Sequence, residues 1–215
     1  MSMVRVVPAL LTDDPVALAR MVEAANGFAD FVQVDIMDGR FVPSTSISAS
    51  HLGSSGIHFD WEAHLMVVDP LNYVEQFKDV GASRLIFHIE SDDDPSDVVA
   101  LARSLNIGVG VALSPDTPVS SAADVLSDVD SVLLMSVYPG FYGAAFVPEV
   151  LEKVPELRRK FPRLELGIDG GVKEDNLVDV ARMGFDTVCV GSAIFRDEIP
   201  AAAYRRMSDL AQQVQ

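Results

Sequence analysis

The sequence predicts an α/β fold, a single (β/α)8 TIM barrel that spans residues 1–215 as one domain. Apolar strand-like stretches alternate with helix-like stretches eight times along the chain. Stretches such as VLLM at 132–135 are apolar throughout, which is typical of strands buried on both faces in a parallel sheet. An open doubly wound sheet would favour a glycine-rich turn after the first strand, where this chain has LTDD at 11–14. A closed barrel is therefore favoured.

Each predicted strand is a short run of apolar and β-branched residues bounded by glycine, proline or polar residues. The second strand, for example, begins at Phe31 and ends before Gly39. The other seven are predicted at residues 4–11, 59–66, 84–89, 107–113, 131–137, 164–168 and 187–190.

Helices are predicted where apolar residues recur at helical spacing between capping and terminating residues. In the first helix, Thr12 or Asp13 can cap the N-terminus, Pro15 suits the first turn, and Gly27 ends the helix. The serine- and glycine-rich stretch 44–56 is predicted to be a loop that can include a short helical turn. The helices are predicted at residues 16–25, 69–80, 95–105, 119–126, 148–161, 174–183 and 201–214.

Composition excludes several classes of function. The 215 residues carry a net charge of −16, so a nucleic-acid backbone or an anionic membrane surface would repel the chain. Hydrophobic residues make up 49%, enough for a large core, yet no apolar run approaches the roughly 20 residues that a membrane helix needs. Cys189 is the single cysteine, and the N-terminus has no signal-like segment. These observations predict a cytoplasmic protein that binds neither nucleic acid nor membrane.

Polar residues occur at the carboxyl ends of the predicted strands, where a (β/α)8 barrel builds its active site. Asp35 is the clearest case, because a carboxylate inside an apolar strand is costly unless other groups hold it. A lone histidine at such a position is usually structural, but two aspartates and a histidine together indicate catalysis. In chain order, the strand ends and following loops supply Asp35, His64, His88, Met135, the segment 138–143 (YPGFYG), Asp169, Gly170, Gly171, Gly191 and Ser192.

Two of these loops predict a phosphate site. Gly170 and Gly171 follow the seventh strand, and Gly191 and Ser192 follow the eighth. Glycines at these places let backbone N–H groups approach an anion, whereas the alternative is that they serve only tight turns. The segment 139–143, with glycines at positions 140 and 143, is predicted to close over a ligand.

The residues at the strand ends suit proton transfer at a carbon beside a carbonyl. Lysine occurs only at positions 78, 153, 160 and 173, none of them at a strand end, which disfavours Schiff-base chemistry. Two opposed carboxylates can instead remove a proton from one face of the carbon and return one to the other. The resulting enediolate needs an electrophile, most simply a divalent metal held by histidine and aspartate. Met37, Met66 and Met135 can line the site of this planar intermediate, although core packing is their commoner role.

A series of motifs, in order over nearly the whole chain, resembles the ribulose-phosphate 3-epimerase family. The motifs are VQVDIMDGRFVP, EAHLMVVDP, FHIES, GVALSPDTP, MSVYPGF and GIDGGV with VGSAIF. The resemblance implies a (β/α)8 barrel of the ribulose-phosphate-binding type. It also implies an isomerase that interconverts ribulose 5-phosphate and xylulose 5-phosphate in the pentose phosphate pathway.

The resemblance further implies a role for individual residues. Asp35 and Asp169 are implied as the catalytic acid and base, and His64 joins them as a ligand of one divalent ion (Zn, Fe, Mn, Co or Mg). The implied substrate- and phosphate-binding residues are Met37, Met66, Met135, Gly140, Phe141, Gly143, Gly170, Gly171, Gly191 and Ser192. The expected partner is a small phosphorylated sugar. Because the family forms dimers and larger assemblies, a homo-oligomer is expected by analogy.

The chain departs from the family motifs around the substrate and the metal. Gln33 stands where the motif His-x-Asp-x-Met-Asp-Gly has its first histidine, and a glutamine oxygen is usually a weaker donor to zinc or iron than imidazole. Ala9 and Thr12 replace two serines of the first strand, and Arg40 replaces a histidine. The family loop Asn-Pro-Gly-Phe-Gly-Gly-Gln reads YPGFYGA at 138–144.

Three functions remain open on these residues. The first is the epimerase, with a pentulose 5-phosphate or a close relative as substrate and a metal site of one histidine and two aspartates. The second is a related phosphosugar enzyme in which Ala9 and Tyr142 reshape the pocket. The third is a non-catalytic phosphosugar-binding paralogue, which Gln33 favours and the presence of both Asp35 and Asp169 disfavours.

Overall fold

The computed structural model describes residues 4–138 and 145–213 of the chain. Its strands are β1 (Arg5–Leu10), β2 (Phe31–Met37), β3 (Asp60–Met66), β4 (Arg84–His88), β5 (Gly108–Leu113), β6 (Ser131–Met135), β7 (Glu165–Asp169) and β8 (Thr187–Val190). Every strand runs parallel to its neighbours, and β8 pairs with β1, so the sheet closes into a barrel. The predicted (β/α)8 fold is confirmed, and each predicted strand end lies within about two residues of the observed one.

Helices connect the strands on the outside of the barrel. They are α1 (Pro15–Asn26), α2 (Ala49–Leu52), α3 (Leu71–Asp79), α4 (Pro95–Ser104), α5 (Val154–Lys160), α6 (Leu177–Arg182), α7 (Ser192–Phe195) and α8 (Pro200–Ala211). Two 3-10 helices lie at Val119–Ala122 and Pro148–Lys153. Within residues 4–138 and 145–213, no helix is both long enough and apolar enough to span a bilayer.

Two predicted helices differ from the observed ones. Residues 148–161 form a 3-10 helix followed by α5 rather than one continuous α-helix. Pro155 lacks the N–H that a continuous helix would use, and its ring opposes the preceding turn, so the α-helix begins anew at Val154. The helix predicted at 119–126 is only the 3-10 turn Val119–Ala122 followed by further turns.

The cap of α1 also differs from the prediction. Asp14, rather than Thr12 or Asp13, caps the helix, since its Oδ1 accepts a hydrogen bond from the backbone N–H of Val16 at 2.9 Å. Thr12 supports this turn because its Oγ1 accepts from the N–H of Asp14 at 3.1 Å. Pro15 occupies the first turn as predicted.

An ion cluster fills the barrel end nearest the amino ends of the strands. Arg84 on β4 contacts Glu62 on β3 at 2.6 Å and reaches across the interior to Glu165 on β7 at 2.9 Å. Burial raises the pKa of Glu62. Burial opposes the charge of Arg84, but the two glutamates outweigh it and raise the pKa of the guanidinium. Loss of one partner would leave a buried charge uncompensated, so the stability of this end of the barrel depends on all three side chains being present.

An apolar layer separates this ion cluster from the carboxyl ends of the strands. Because side chains alternate along a strand, every second residue faces the interior. On β4 the successive inward residues are Arg84 in the ion cluster, Ile86 in the apolar layer and His88 beyond it. The members of the apolar layer are Val7, Ala9, Ile86, Ala112, Leu133, Met135 and Cys189.

The strand register brings the remaining polar residues together at the other end of the barrel. Asp35 on β2 pairs with His64 on β3, and Asp169 on β7 lies between Met135 on β6 and Cys189 on β8. All strands point the same way, so these residues reach one rim. We call this end, defined by Asp35, His64, His88 and Asp169, the mouth.

Candidate active site

Gln33 links the two aspartates at the mouth. Its Nε2 donates hydrogen bonds to Oδ1 of Asp35 at 2.9 Å and to Oδ2 of Asp169 at 2.7 Å. Its Oε1 accepts from the thiol of Cys189 at 3.1 Å. Gln33 is fully buried, and Asp35 is 6% exposed. The predicted catalytic pair therefore converges, with one amide nitrogen holding both carboxylates.

His64 completes a group that can hold a metal ion. Its Nδ1 lies 2.9 Å from Oδ1 of Asp35 and 3.6 Å from Oδ2 of Asp169. The candidate ligand atoms of these three residues all lie within 4.8 Å of one another. Two carboxylates and one imidazole are a donor set that suits divalent ions such as Fe, Mn, Zn and Co. The donor chemistry therefore fits a divalent metal, as predicted for this trio.

Gln33 presents its nitrogen, not its oxygen, to this group. An amide nitrogen carries two hydrogens and offers no lone pair to a cation. Coordination by Gln33 would require its amide to rotate by about 180°, so that Oε1 faces the aspartates. The hydrogen bond from the Cys189 thiol to Oε1 would then be lost, and Nε2 would face the sulfur instead. The trio Asp35, His64 and Asp169 is thus the better-supported ligand set.

Proton affinities in the group are strongly perturbed. Burial and the charge of Asp35 raise the pKa of Asp169 to about 7. Burial disfavours the charged form of His64, but its hydrogen bond to Asp35 and the charges of both aspartates outweigh this and raise its pKa. Asp169 can therefore hold a proton, and release it, near neutral pH.

A hydrogen-bonded chain extends behind His64. The Nε2 of His64 lies 3.0 Å from the Nε2 of His88, whose Nδ1 lies 3.0 Å from Oε2 of Glu90. Oε1 of Glu90 accepts from the backbone N–H of Ser114 at 2.8 Å. Burial lowers the pKa of His88 to about 4. Burial opposes the charge of Glu90, but hydrogen bonds from His88, the Thr117 side chain and Ser114 lower its pKa to about 2.

His88 was among the residues predicted at the strand ends but had no assigned role, and Glu90 was not predicted as a site residue. The signal was present in the period of the strand. Arg84, Ile86, His88 and Glu90 are spaced two apart, so the motif FHIES continues the inward face of β4 beyond its last residue.

The three methionines divide between two environments. Met37 and Met66 are register partners and pack together with Val42 at the mouth. Met135 belongs to the apolar layer, although it is the register partner of Asp169. All three methionines are buried. Met37 and Met66 thus form one apolar cluster two residues beyond Asp35 and His64 on their strands, and Met135 lies beside Asp169 on the neighbouring strand.

The glycines after β7 are required by the backbone. Gly170 has φ 109° and Gly171 has φ 64°, values that side-chain-bearing residues rarely adopt. A Cβ at Gly170 would lie 2.4 Å from Cγ2 of Val137. The hydroxyl of Ser136 also donates to the carbonyls of Asp169 and Gly170, at 3.0 and 2.6 Å. The tight-turn interpretation accounts for these glycines, while their role as phosphate ligands stays a prediction.

The other predicted phosphate residues lie partly in view. Gly191 precedes α7, and Ser192 is the first residue of that helix. Ser192 also lines a cavity of about 310 Å³ together with Thr12, Arg20 and Arg196. The predicted ligands Gly140, Phe141 and Gly143, together with Tyr142 of the same segment, lie outside the described residues.

The loop after β2 is organised by two residues that the sequence did not single out. Asp38 accepts hydrogen bonds from the backbone N–H groups of Arg40 and Phe41 and from that of Val68. The hydroxyl of Ser46 donates to the carbonyl of Asp35 at 2.9 Å and accepts from the N–H of Met37 at 2.9 Å. These contacts hold the carboxyl end of β2, and with it Asp35, in place.

The comparisons with known proteins agree with this arrangement. A sequence model described as the ribulose-phosphate 3 epimerase family matches residues 5–195, a range that includes every strand and all the mouth residues. The chain belongs to the ribulose-phosphate 3-epimerase family. The resemblance noted in the sequence motifs is therefore confirmed.

Named relatives in this epimerase family are similar over most of the chain. The ribulose-phosphate 3-epimerase of Mycobacterium tuberculosis (strain H37Rv) is 37% identical over 206 residues, covering 92% of this chain and 89% of that protein. The cytoplasmic isoform of the enzyme from Oryza sativa is 37% identical over 201 residues, covering 89% of this chain and 87% of that protein.

A solved structure supports the barrel independently. KGPDC from Streptococcus mutans, solved in complex with D-R5P, matches with a TM-score of 0.79 and covers 99% of both chains. Its sequence identity to this epimerase-family chain is 14%, so the match concerns the fold.

Proposed function

We propose that this chain is a ribulose-phosphate 3-epimerase that moves a proton at C3 of ribulose 5-phosphate or a close phosphosugar relative. The observation that carries the proposal is the convergence of Asp35 and Asp169 on one amide nitrogen at the barrel mouth. Two further findings support it. The chain belongs to the epimerase family, and relatives named ribulose-phosphate 3-epimerase align with it over nearly their whole length.

In the proposed reaction, one aspartate acts as base and the other as acid. Asp35 takes the C3 proton, the electrons of the broken C–H bond move towards the C2 carbonyl, and an enediolate forms. Asp169, whose pKa is raised to about 7, delivers its proton to the opposite face of C3. In the reverse direction the two residues exchange roles. Gln33 keeps the two carboxylates apart and oriented throughout the cycle.

Asp35, His64 and Asp169 are the proposed metal ligands. A divalent ion at this place, one of Zn, Fe, Mn, Co or Mg, supplies positive charge for the enediolate oxygens when bound. His64 would present Nδ1 and the aspartates one oxygen each. Gln33 is a further ligand only if its amide turns over.

The phosphate is proposed to bind at the loops after β7 and β8. Gly170, Gly171, Gly191 and Ser192 lie at the carboxyl ends of these strands, the usual phosphate position in this fold. Backbone N–H groups are the appropriate ligands in a chain with net charge −16, because they attract an anion locally. Met37 and Met66 are proposed to contact the planar part of the substrate.

We further propose that the protein is one domain working in the cytoplasm as a homo-oligomer. The rice relative is named as a cytoplasmic isoform. Light scattering on the eluting protein measures the assembly directly, and a monomer mass would contradict the oligomer.

Deuterium exchange tests the proposed reaction. The protein is incubated with ribulose 5-phosphate in D₂O, and the C3 proton is followed by NMR in samples containing Mn²⁺, Zn²⁺ or a chelator. Exchange is expected in wild type and should be abolished in Asp35→Asn and Asp169→Asn. The matched control is Asp175→Asn, an exposed aspartate after the same strand as Asp169, which should retain exchange.

Each outcome separates the alternatives. Exchange that the chelator abolishes supports the metal role, whereas exchange that survives chelation removes the metal from the mechanism. Absence of exchange in every sample, combined with thermal stabilisation by the sugar phosphate, would favour a binding protein without turnover. The Gln33 nitrogen at the position of a family metal ligand is the observation that keeps this second function in play.

A further inference from the structure

We propose that His88 and Glu90 are positioning residues that hold a proton on Nε2 of His64, so that Nδ1, which faces Asp35 and Asp169, is the nitrogen that binds metal. The two residues thereby set the affinity for metal. This inference rests on the proposed ligand role of His64. It concerns two residues behind that ligand: His88 contacts the Nε2 of His64, and Glu90 contacts His88.

Glu90 determines the direction of the hydrogen bonds that link it to His88 and His64. A backbone N–H can only donate, so the N–H of Ser114 makes Oε1 of Glu90 an acceptor. The side chain of Thr117 also bonds to this carboxylate. Surrounded by donors, Glu90 accepts through Oε2 as well, and the Nδ1 of His88 is therefore the donor in their 3.0 Å contact.

The donor role of His88 towards Glu90 determines which nitrogen of His64 carries a proton. A neutral imidazole has one donor and one acceptor nitrogen, so a proton on Nδ1 of His88 makes its Nε2 an acceptor. The facing Nε2 of His64, 3.0 Å away, must then carry a proton. With Nε2 protonated, Nδ1 is the nitrogen that remains available for coordination, and it faces Asp35 and Asp169. A metal ion bound to Nδ1 would replace the proton that Nδ1 donates to Oδ1 of Asp35 at 2.9 Å, which leaves His64 neutral and protonated at Nε2. That is the form in which an imidazole binds a metal.

Burial strengthens the effect of these hydrogen bonds on His64. His64 and His88 are both fully buried, so water is not available to replace either partner. The ring centroids of His64 and His88 lie 5.1 Å apart, and those of Phe41 and His88 lie 4.8 Å apart. These contacts restrict the ring of His88 to one orientation. Partners of this kind typically change metal affinity by about 10- to 100-fold when they are removed.

The opposite direction has a distinct consequence. It would need a protonated Glu90 that donates to His88, and it would place the proton of His64 on Nδ1, facing Asp35. An imidazole in that form cannot coordinate at Nδ1. The two directions therefore differ in an observable quantity, the position of the proton on His64.

NMR of protein with ¹⁵N-labelled histidine measures that position. In the zinc-loaded protein, two-bond ¹H–¹⁵N spectra should show His64 protonated at Nε2 and His88 protonated at Nδ1. Zinc affinity is measured in parallel by competition with a chromophoric chelator. His88→Phe, which keeps a ring but removes both nitrogens, and Glu90→Gln should each weaken zinc binding by about 10- to 100-fold.

Two further variants distinguish positioning from general damage. His88→Gln has an amide that can donate to Glu90 and accept from His64, so it should recover part of the affinity lost in His88→Phe. Ser131→Ala is the control, since Ser131 is the register partner of Glu165 in the ion cluster and its buried hydroxyl has no hydrogen-bond partner within the described residues. This variant should bind zinc as wild type does. Thermal unfolding with chelator shows that each variant is folded.

Four results would overturn the proposal. They are a proton on Nδ1 of His64 in the zinc-loaded protein, wild-type zinc affinity in His88→Phe, no recovery in His88→Gln, or no zinc binding by the wild-type protein. Wild-type zinc affinity and the expected tautomers without C3 exchange would instead contradict the epimerase function and leave this inference standing.

Discussion

The side-chain nitrogen of Gln33 lies 2.7 Å from Oδ2 of Asp169, across the barrel and 136 residues away in the chain. The same nitrogen lies 2.9 Å from Oδ1 of Asp35. One neutral amide thus offers both of its hydrogens to two neighbouring carboxylates, and His64 is a further partner of Asp35. This contact explains how two buried acids can coexist at the mouth, and it makes Gln33 the first residue to vary.

Gln33→His should strengthen metal binding. An imidazole donates a lone pair to zinc or iron more effectively than an amide, and the substitution restores the residue of the family motif. We expect the dissociation constant for Zn²⁺ to fall by at least about 10-fold in a competition assay with a chromophoric chelator. Cys189→Ala, which changes only the other end of the Gln33 contact, is the control. Unchanged affinity in Gln33→His would mean that position 33 is not a ligand position in this chain.

Asp169→Asn should change how stability depends on pH in chelator. The folded-state pKa of Asp169, about 7, is above the unfolded value of about 3.9, so its stabilising contribution is full below about pH 4 and is lost as pH rises through 7. Asparagine cannot ionise and avoids this loss. Relative to wild type, the variant should therefore gain about 2 kcal/mol in free energy of unfolding between pH 5 and pH 8.

Urea unfolding at the two pH values measures this difference. Asp175→Asn is the matched control, because that side chain is exposed. A constant difference between Asp169→Asn and wild type across this range would show that Asp169 does not take up a proton in the folded state.

Arg84→Met should destabilise the protein without a direct effect on the mouth. The change removes the cation that pairs with Glu62, which is 2% exposed, and leaves Glu165 with Arg5 at 3.9 Å, at a cost of about 3–5 kcal/mol in free energy of unfolding. Arg5→Met is the control, since Arg5 is 47% exposed and 3.9 Å from Glu165, and it should cost less than about 1 kcal/mol. Equal effects of the two substitutions in urea unfolding would contradict the proposed importance of burial.

Gly170→Ala should be more damaging than an alanine at another glycine with positive φ. Gly170 combines φ 109° with a Cβ position 2.4 Å from Val137, whereas Gly81 has φ 95° and nothing within 4 Å. Gly81→Ala should cost about 1 kcal/mol for the backbone alone. Gly170→Ala should cost at least about 1 kcal/mol more, because Val137 must also move. Similar melting temperatures of the two variants would show that the turn after β7 adapts freely.

The fold and the convergence of the site follow from rules that act locally on the sequence. Runs such as 132–135 are typical of strands buried on both faces, and parallel strands bring their carboxyl ends to one rim. The positions of Asp35, His64 and Asp169 at strand ends therefore suffice to predict that they lie together. The helix predicted at 148–161 was wrong in its continuity, although Pro155 was the signal for the break, since proline lacks the backbone N–H that a continuous helix needs.

The finer arrangement depends on side-chain rotamers and long-range contacts. The sequence shows that Gln33 stands at a ligand position, but not that its nitrogen reaches Asp169 on a strand far along the chain. The chain from His64 through His88 to Glu90 likewise depends on ring orientations and on the N–H of Ser114, which no local pattern specifies. Such contacts are set by packing in the closed barrel.

The apolar layer between the ion cluster and the mouth has an evolutionary consequence. Charges at Arg84 and Glu62 must stay balanced for the barrel to hold together, whereas charges at the mouth must change during turnover. Ile86, Leu133 and their neighbours separate the ion cluster from the mouth. Substitutions at the mouth can therefore accumulate without changes in the ion cluster that stabilises the barrel. The glutamine at position 33, where the family motif has a histidine, is a substitution that this separation allows the barrel to tolerate.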